Sequence, residues 1–97
     1  MSVNVILEVT SKPDCIDELK HTLESILPDT RSFNGCIGVR VMSNQDDSLN
    51  LVLLETWSTR KHYEKYLTWR SERGDLQALS ALLSQEPSIR YFESFTI

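Results

Sequence analysis

The sequence has little of what marks unusual protein classes. Its 97 residues include only three glycines, three prolines and two cysteines, so neither disorder nor low complexity is expected. No apolar run approaches the roughly 20 residues that a membrane-spanning helix needs. The length suits one domain with one core, and any active site must lie within that core or between subunits.

Basic runs are also missing. The formal net charge is −4, which opposes binding to nucleic acid. Arg70 and Arg73 are predicted to lie on a solvated helix face. Because the start of the chain lacks the basic segment and long apolar segment of a signal peptide, we expect a cytosolic location and no membrane partner.

Metal-binding and redox motifs are absent from the sequence pattern. Cys15 and Cys36 have neither CxxC spacing nor a nearby histidine, which favours two reduced, partly buried thiols over a redox pair. His21 and His62 have no ligand spacing with each other or with acidic residues. The sequence therefore predicts no metal.

The first half of the chain predicts a strand, a helix and a hairpin. Apolar and polar residues alternate from 3 to 10, as in a strand with one apolar face. Ser11 and Pro13 are typical of a helix start, and this amphipathic helix is predicted to end near Pro28. Alternation returns over 37–42, and the polar residues 43–48 connect it to a run over 49–57 that is apolar on both faces, as in a central strand.

The second half predicts two helices and a final strand. Ser58 is the predicted N-cap of a helix that ends at Arg73-Gly74, with one face formed by Tyr63, Tyr66, Leu67 and Arg70. Asp75 is predicted to cap a further short helix. The last strand is expected to run from Ile89 to Ile97, with its alternation interrupted at Phe92-Glu93.

This order, β-α-β-β-α-(α)-β, predicts a single α+β domain of ferredoxin-like, split βαβ type over residues 1–97. Two helices would cover one face of a four-stranded antiparallel sheet. The third strand would expose apolar side chains on the other face, so we expect a homodimer formed face to face. A monomer whose C-terminal segment or helix covers that face is the alternative.

Three features are shared with a known family: Asn34-Gly35-Cys36, the run Leu51-Val52-Leu53-Leu54-Glu55-Thr56-Trp57-Ser58, and the helix that follows. With these, nearly the whole chain resembles the antibiotic biosynthesis monooxygenase domain. The resemblance implies a dimeric α+β barrel with a pocket between sheet and helices in each subunit. Some relatives oxidise quinols or aromatic polyketides with molecular oxygen and without metal or flavin.

Such chemistry needs a base, a group that stabilises an anion, and aromatic walls. Trp57 matches the family's tryptophan, and Glu55 shares its sheet face; with Tyr66 they are the predicted catalytic residues. The alternatives are a core role for Trp57 and an ion pair of the glutamate with an arginine. The predicted substrate-binding residues are Asn4, Arg40, Tyr63 and Trp69.

The sequence departs from the family where many members have histidines on the second helix, since Tyr66 and Ser71 occupy those positions. The haem-degrading relatives' asparagine and histidine have no equivalent either, so no cofactor is predicted.

Three functional hypotheses follow. The first is a cofactor-independent monooxygenase for a small aromatic or quinol-like compound. The second is a non-catalytic or stress-associated dimer that binds a small hydrophobic ligand. The third is an isomerase, decarboxylase or lactone-cleaving enzyme that uses no oxygen.

Overall fold

The computed structural model describes residues 2–97, which form one antiparallel sheet and three helices. Along the chain the elements are β1 Val3–Thr10, α1 Ile16–Ser32, β2 Cys36–Asn44, β3 Asp47–Trp57, α2 Arg60–Glu72, α3 Asp75–Ser80 and β4 Ser88–Phe92. The strand order is β2-β3-β1-β4, with β1 and β3 central. The split βαβ prediction is confirmed. Within residues 2–97, none of the helices has the length and apolar character that a membrane crossing requires.

The helix-covered face of the sheet carries the buried side chains, in two clusters. An aliphatic core joins α1 to β1, β2 and β3, and its buried members are Val9, Leu19, Leu23, Leu27, Val39, Leu51, Leu53, Leu79 and Leu83. An aromatic core lies under α2 and contains Val3, Val5, Trp57, Tyr63 and Tyr66. Odd-numbered residues of β1 and β3 thus face the helices, as period-two geometry requires.

Helix α1 differs from its prediction at both ends. Ser11 does not cap it, because that residue is buried and forms a backbone bridge with Leu83; the helix begins at Ile16. It also continues past Pro28 to Ser32. The proline removes one helical hydrogen bond, which would have been accepted by the Glu24 carbonyl, but both residues are exposed, so water can serve that carbonyl.

The start of α2 is packed against the start of β2. Thr59, not Ser58, is the N-cap, and its hydroxyl accepts from the His62 backbone N–H at 3.2 Å. The His62 ring lies over Gly35, where an added Cβ would stand 2.4 Å from the ring. Gly35 also has a φ of 95°, a conformation that glycine adopts without strain. Glycine is therefore required at this turn on both grounds.

Two predictions about the C-terminal region need correction. Asp75 is the first residue of α3 and not its cap, since Gly74, with a φ of 82°, holds the N-cap position. Strand β4 ends at Phe92, where the sequence alternation is interrupted, and does not reach Ile97. Phe95 is 80% exposed, so this segment does not bury an apolar side chain over the sheet.

On the other face of the sheet, no helix formed by residues 2–97 covers the strands. Its apolar residues include the opposed pairs Ile6–Leu54 and Val52–Met42, and also Phe92, which is opposite Asn4. Met42 and Phe92 are each more than two-fifths exposed. We call this surface the open face.

Candidate active site

Two adjoining cavities lie between the sheet and helices α2 and α3. The larger chamber measures about 200 Å³ and the smaller about 40 Å³. They share five lining side chains, which are Leu7, Tyr63, Leu67, Leu76 and Leu79. The larger chamber reaches exposed Ser80 and half-buried Pro87 at its rim. Together we call them the helix-side cavity.

Glu55 is the acidic group of the smaller chamber. Strand β3 turns this residue toward the helices, where its side chain is 2% exposed. The Trp57 indole N–H donates to Glu55 Oε1 at 3.0 Å. Burial raises the pKa of the carboxyl from 4.5 to about 7, against the lowering effect of that hydrogen bond. A carboxyl that exchanges its proton near neutral pH is suited to general acid–base chemistry.

Tyr63 supplies a hydroxyl that the protein leaves unpaired. The residue is fully buried on α2 and lines both chambers. Its hydroxyl is a buried side-chain polar atom without a hydrogen-bond partner among residues 2–97. Burial and then the charge of Glu55 raise the pKa of this phenol, so it stays neutral and able to donate. An unpaired buried hydroxyl costs about 1–3 kcal/mol, which a bound ligand would offset.

A second polar cluster borders the same chamber and is fully connected. The Arg70 Nε–H donates to the Tyr66 hydroxyl at 2.9 Å, and Nη2 donates to the Ile26 carbonyl at 2.8 Å and Thr30 Oγ1 at 3.1 Å. Thr30 and Tyr66 are joined by a hydrogen bond of 2.6 Å. Nη1 pairs with Asp75 Oδ2 at 2.9 Å. We call these residues the Arg70 network.

The Arg70 network corrects the prediction made for Arg70. Arg70 is only 2% exposed, so it does not lie on a solvated face as predicted. Asp75 balances its charge; burial alone would raise the pKa of that carboxyl, but hydrogen bonds from Arg70 and Arg73 lower it. Since the Tyr66 hydroxyl already has two protein partners, it is less available to a substrate than that of Tyr63.

The two tryptophans lie outside the lining. Trp57 is fully buried, with its ring centre 5.4 Å from that of Tyr63 and 5.1 Å from that of Tyr66. Its contact with the cavity is indirect, through the hydrogen bond to Glu55. Trp69 packs on Phe33 at a ring-centre distance of 5.2 Å. The structure therefore brings together Glu55, Tyr63 and Tyr66, but neither tryptophan borders a chamber.

Arg40 and Asn4 lie on the open face, away from Trp57. Arg40 is opposite Leu54, and Asn4 is opposite Thr56. Residues directly opposite each other in antiparallel strands share a face, and Leu54 and Thr56 point away from the face that bears Glu55. Neither residue lines the helix-side cavity, so their role in substrate binding stays a prediction. The Glu55 carboxylate likewise has no arginine partner among residues 2–97.

Aliphatic lining residues were missed in the sequence. Leu7 could have been found, because it is opposite Leu53 and strand alternation assigns both to the helix side. Leu76 and Leu79 come from α3. The periodicity of that helix does not predict where it packs on the sheet.

A larger groove of about 350 Å³ lies between α1 and β2. Its charged lining residues, Lys20, Glu24 and Arg31, are all exposed, so it holds no buried titratable group. Both cysteines are free and half-buried, as predicted. Among residues 2–97 there is no group of three His, Cys, Asp or Glu side chains placed to hold a metal ion.

Residues 2–71 match the family model described as antibiotic biosynthesis monooxygenase. No curated protein sequence matches the chain.

Similar solved structures include a conserved protein from Methanosarcina mazei, with 20% identity, coverage of 98% of this chain and 94% of that one, and a TM-score of 0.88. An antibiotic biosynthesis monooxygenase has 18% identity, coverage of 97% and 99%, and a TM-score of 0.87. A mutant of SnoaB, a cofactor-independent oxygenase from Streptomyces nogalater, has 14% identity, coverage of 99% and 95%, and a TM-score of 0.84. At these identities the structures support the fold.

Proposed function

Because this chain belongs to the antibiotic biosynthesis monooxygenase family, we propose that it is a cofactor-independent monooxygenase that oxidises a small quinol-like aromatic compound with molecular oxygen. The observation that carries the proposal is Glu55, a buried carboxyl in the helix-side cavity whose pKa is raised to about 7. Tyr63, with its unpaired hydroxyl, stands beside it in the lining. The SnoaB comparison supports oxygen chemistry without a cofactor on this fold.

Proton transfer is the first step of the proposed reaction. The Glu55 carboxylate accepts the phenolic proton of the substrate, and the Tyr63 hydroxyl donates a hydrogen bond to the phenolate that forms. Burial makes the carboxylate a stronger base than an exposed one, and the apolar leucine walls exclude water from the anion. Trp57 holds Glu55 in place through its indole N–H, so it acts as a positioning residue.

Oxygen chemistry then needs no further reagent. The phenolate passes an electron to O₂, and the two radicals join to form a C–O bond at a ring carbon that carries hydrogen. The peroxide takes the proton from Glu55. Glu55 next removes the ring hydrogen as the O–O bond breaks and a C=O bond forms, and its proton joins the departing hydroxide as water. Hydroquinone plus O₂ thus gives hydroxybenzoquinone plus water.

Oxygen uptake with substituted hydroquinones tests this function, with and without added flavin or metal. We expect a rate above the protein-free rate that rises with pH about a midpoint near 7, and a loss of about 10²–10⁴-fold in kcat for Glu55→Gln. Glu64→Gln is the matched control, because that α2 side chain is 53% exposed. Uptake no faster than without protein, or equal rates for both variants, would contradict the proposal.

A non-catalytic ligand-binding protein is the second candidate. The full engagement of the Tyr66 hydroxyl by Arg70 and Thr30 favours it, because it leaves few groups for chemistry. Under this function an aromatic ligand would quench Trp57 fluorescence without any oxygen consumption under air. Turnover would eliminate it.

Assembly as a homodimer through the open face is part of the proposal. The exposed apolar centre of that face, with Met42 41% and Phe92 43% exposed, is typical of a surface that meets another protein. We expect sedimentation to give twice the chain mass, and Leu54→Lys to give the monomer with unchanged circular dichroism. A monomeric native protein would refute this assembly.

A further inference from the structure

The size of the helix-side cavity limits what it can bind. Its chambers measure about 200 Å³ and 40 Å³. An apolar cavity of about 150 Å³ is enough for one benzene molecule, whereas pockets for drug-sized ligands are about 300–1,000 Å³. The larger chamber therefore has room for one substituted ring, and the smaller only for a substituent.

The charges around the cavity limit the ligand further. Among residues 2–97, Arg70 is the one cationic group that borders it, and its charge is balanced by Asp75 at 2.9 Å. Three of its nitrogens already donate to protein acceptors. The remaining ionisable side chains of the lining are Glu55, Tyr63 and Tyr66. A carboxylate on the ligand would thus bring a second negative charge beside Glu55 with nothing to neutralise it.

The buried polar groups of the cavity lie at one end, since Ser80 at the rim of the larger chamber is exposed. Glu55 lines only the smaller chamber, Tyr63 lines both, and the larger chamber is otherwise mainly aliphatic. A ligand with one polar end can seat its ring among Leu67, Leu76 and Leu79 and direct that end toward the tyrosine and the glutamate. The unpaired Tyr63 hydroxyl gains a partner in this arrangement.

From these observations we propose that the helix-side cavity is specific for uncharged phenols with a single ring, and that Leu76 sets the upper limit on ring number. This specificity narrows the substrate class of the proposed function, and its relevance to catalysis rests on that function. It rejects aromatic acids by charge and compounds with fused rings by size.

Calorimetric titration with three stable probes tests the specificity without turnover. The probes are 4-methylphenol, 4-hydroxybenzoate, which adds a charge, and 2-naphthol, which adds a ring. We expect 4-methylphenol to bind the native protein at least tenfold more tightly than either of the others at pH 8. Equal or tighter binding of 4-hydroxybenzoate or 2-naphthol, or no binding of 4-methylphenol, would overturn the inference.

Substitution of Leu76 tests the size limit. Leu76 is half-buried and lines both chambers, so Leu76→Ala enlarges the cavity. We expect 2-naphthol then to bind within about threefold of 4-methylphenol. Leu82→Ala is the matched control, since Leu82 is also half-buried but packs on the aliphatic core and lines neither chamber. A gain for 2-naphthol in both variants, or in neither, would refute the role of Leu76.

The hydroxyl contact has its own matched pair. Tyr63→Phe removes the unpaired donor, and we expect it to weaken 4-methylphenol binding about tenfold. Tyr91→Phe is the control, because the Tyr91 ring packs against the Tyr63 ring, with 5.8 Å between ring centres, and does not line a chamber. Equal affinities for the two variants would remove Tyr63 from the binding site.

Oxygen uptake separates failure of this inference from failure of the proposed function. Selective binding of 4-methylphenol with no uptake on methylhydroquinone retains the specificity and rejects the monooxygenase. Equal uptake rates with methylhydroquinone, 1,4-naphthalenediol and 2,5-dihydroxybenzoate retain the monooxygenase and reject the specificity.

Discussion

Two polar clusters include side chains of α2, one at Tyr63 and the other at Tyr66 a helical turn further on, and they differ in how fully their hydrogen bonds are satisfied. In the Arg70 network the guanidinium, Thr30 and Tyr66 all have protein partners. In the other cluster, Glu55 has one donor and Tyr63 has no partner among residues 2–97. Satisfied networks fix a core, whereas an unsatisfied buried group calls for an explanation such as a ligand. This difference is the one expected if the first cluster has a structural role and the second is the proposed catalytic site.

Removal of Arg70 should have the largest effect on stability. Arg70→Met leaves the Asp75 carboxylate, the Ile26 carbonyl and the Thr30–Tyr66 pair without their common donor, so we expect a loss of about 3–5 kcal/mol in the free energy of unfolding. Urea denaturation measures it. Arg73→Met, which removes an arginine that is 53% exposed from the same carboxylate, should cost less than about 1 kcal/mol. Similar losses for both would contradict the distinction.

As pH rises, the Glu55→Gln variant should become more stable relative to the native protein. The folded-state pKa is raised from 4.5 to about 7, so the native state holds this proton more tightly than the unfolded chain. Its favourable contribution is complete below pH 4.5 and is lost as pH rises through 7. Relative to the variant, the native protein should lose about 3 kcal/mol in its free energy of unfolding between pH 4 and pH 8. Parallel curves in urea denaturation across that range would show that Glu55 is not perturbed.

The two tyrosine hydroxyls provide a direct comparison. Tyr66→Phe leaves Arg70 Nε–H without its acceptor, and we expect it to cost about 1–3 kcal/mol. Tyr63→Phe removes a hydroxyl that has no partner in the described part of the chain, so stability should be unchanged or slightly increased. Thermal denaturation of the two variants checks the difference, and a reversed order would invalidate the assignment of the two clusters.

An exposed pair on the same helix should give the smallest effect. Arg60 and Glu64 are 3.6 Å apart, with side chains 60% and 53% exposed. Glu64→Gln should change the free energy of unfolding by about 0.3–0.5 kcal/mol, as for other exposed pairs four residues apart. A loss above about 1 kcal/mol, measured by urea denaturation, would show that exposure does not separate the buried network from surface pairs.

Sequence periodicity was sufficient to predict the element order and the central strands. Alternation over 3–10 and the run over 49–57 that is apolar on both faces predicted strands, and the structure has strands there. It failed where one local signal competed with tertiary packing. Pro28 is tolerated within α1 because the carbonyl it leaves unpaired is on the exposed side, and Ser11 is drawn into a bridge with Leu83.

The candidate site was predictable only in part. Glu55 follows from strand parity, and Tyr63 and Tyr66 follow from helical spacing. The face of Asn4 and Arg40 depends on register between strands that are distant in sequence. Burial of Arg70 depends on partners from α1, which its own helix does not reveal. The homodimer, the cytosolic location and the absence of a cofactor stay predictions.

The position of Arg70 has a consequence for motion within α1. Its Nη2 group binds the Ile26 carbonyl and Thr30 Oγ1, two points on either side of Pro28. Arg70 therefore joins the two parts of α1 that flank the proline, where the helix lacks a backbone hydrogen bond. The last turn of α1 should open in concert with α2, so that amide protons from 30 to 33 exchange as one unit with those of α2.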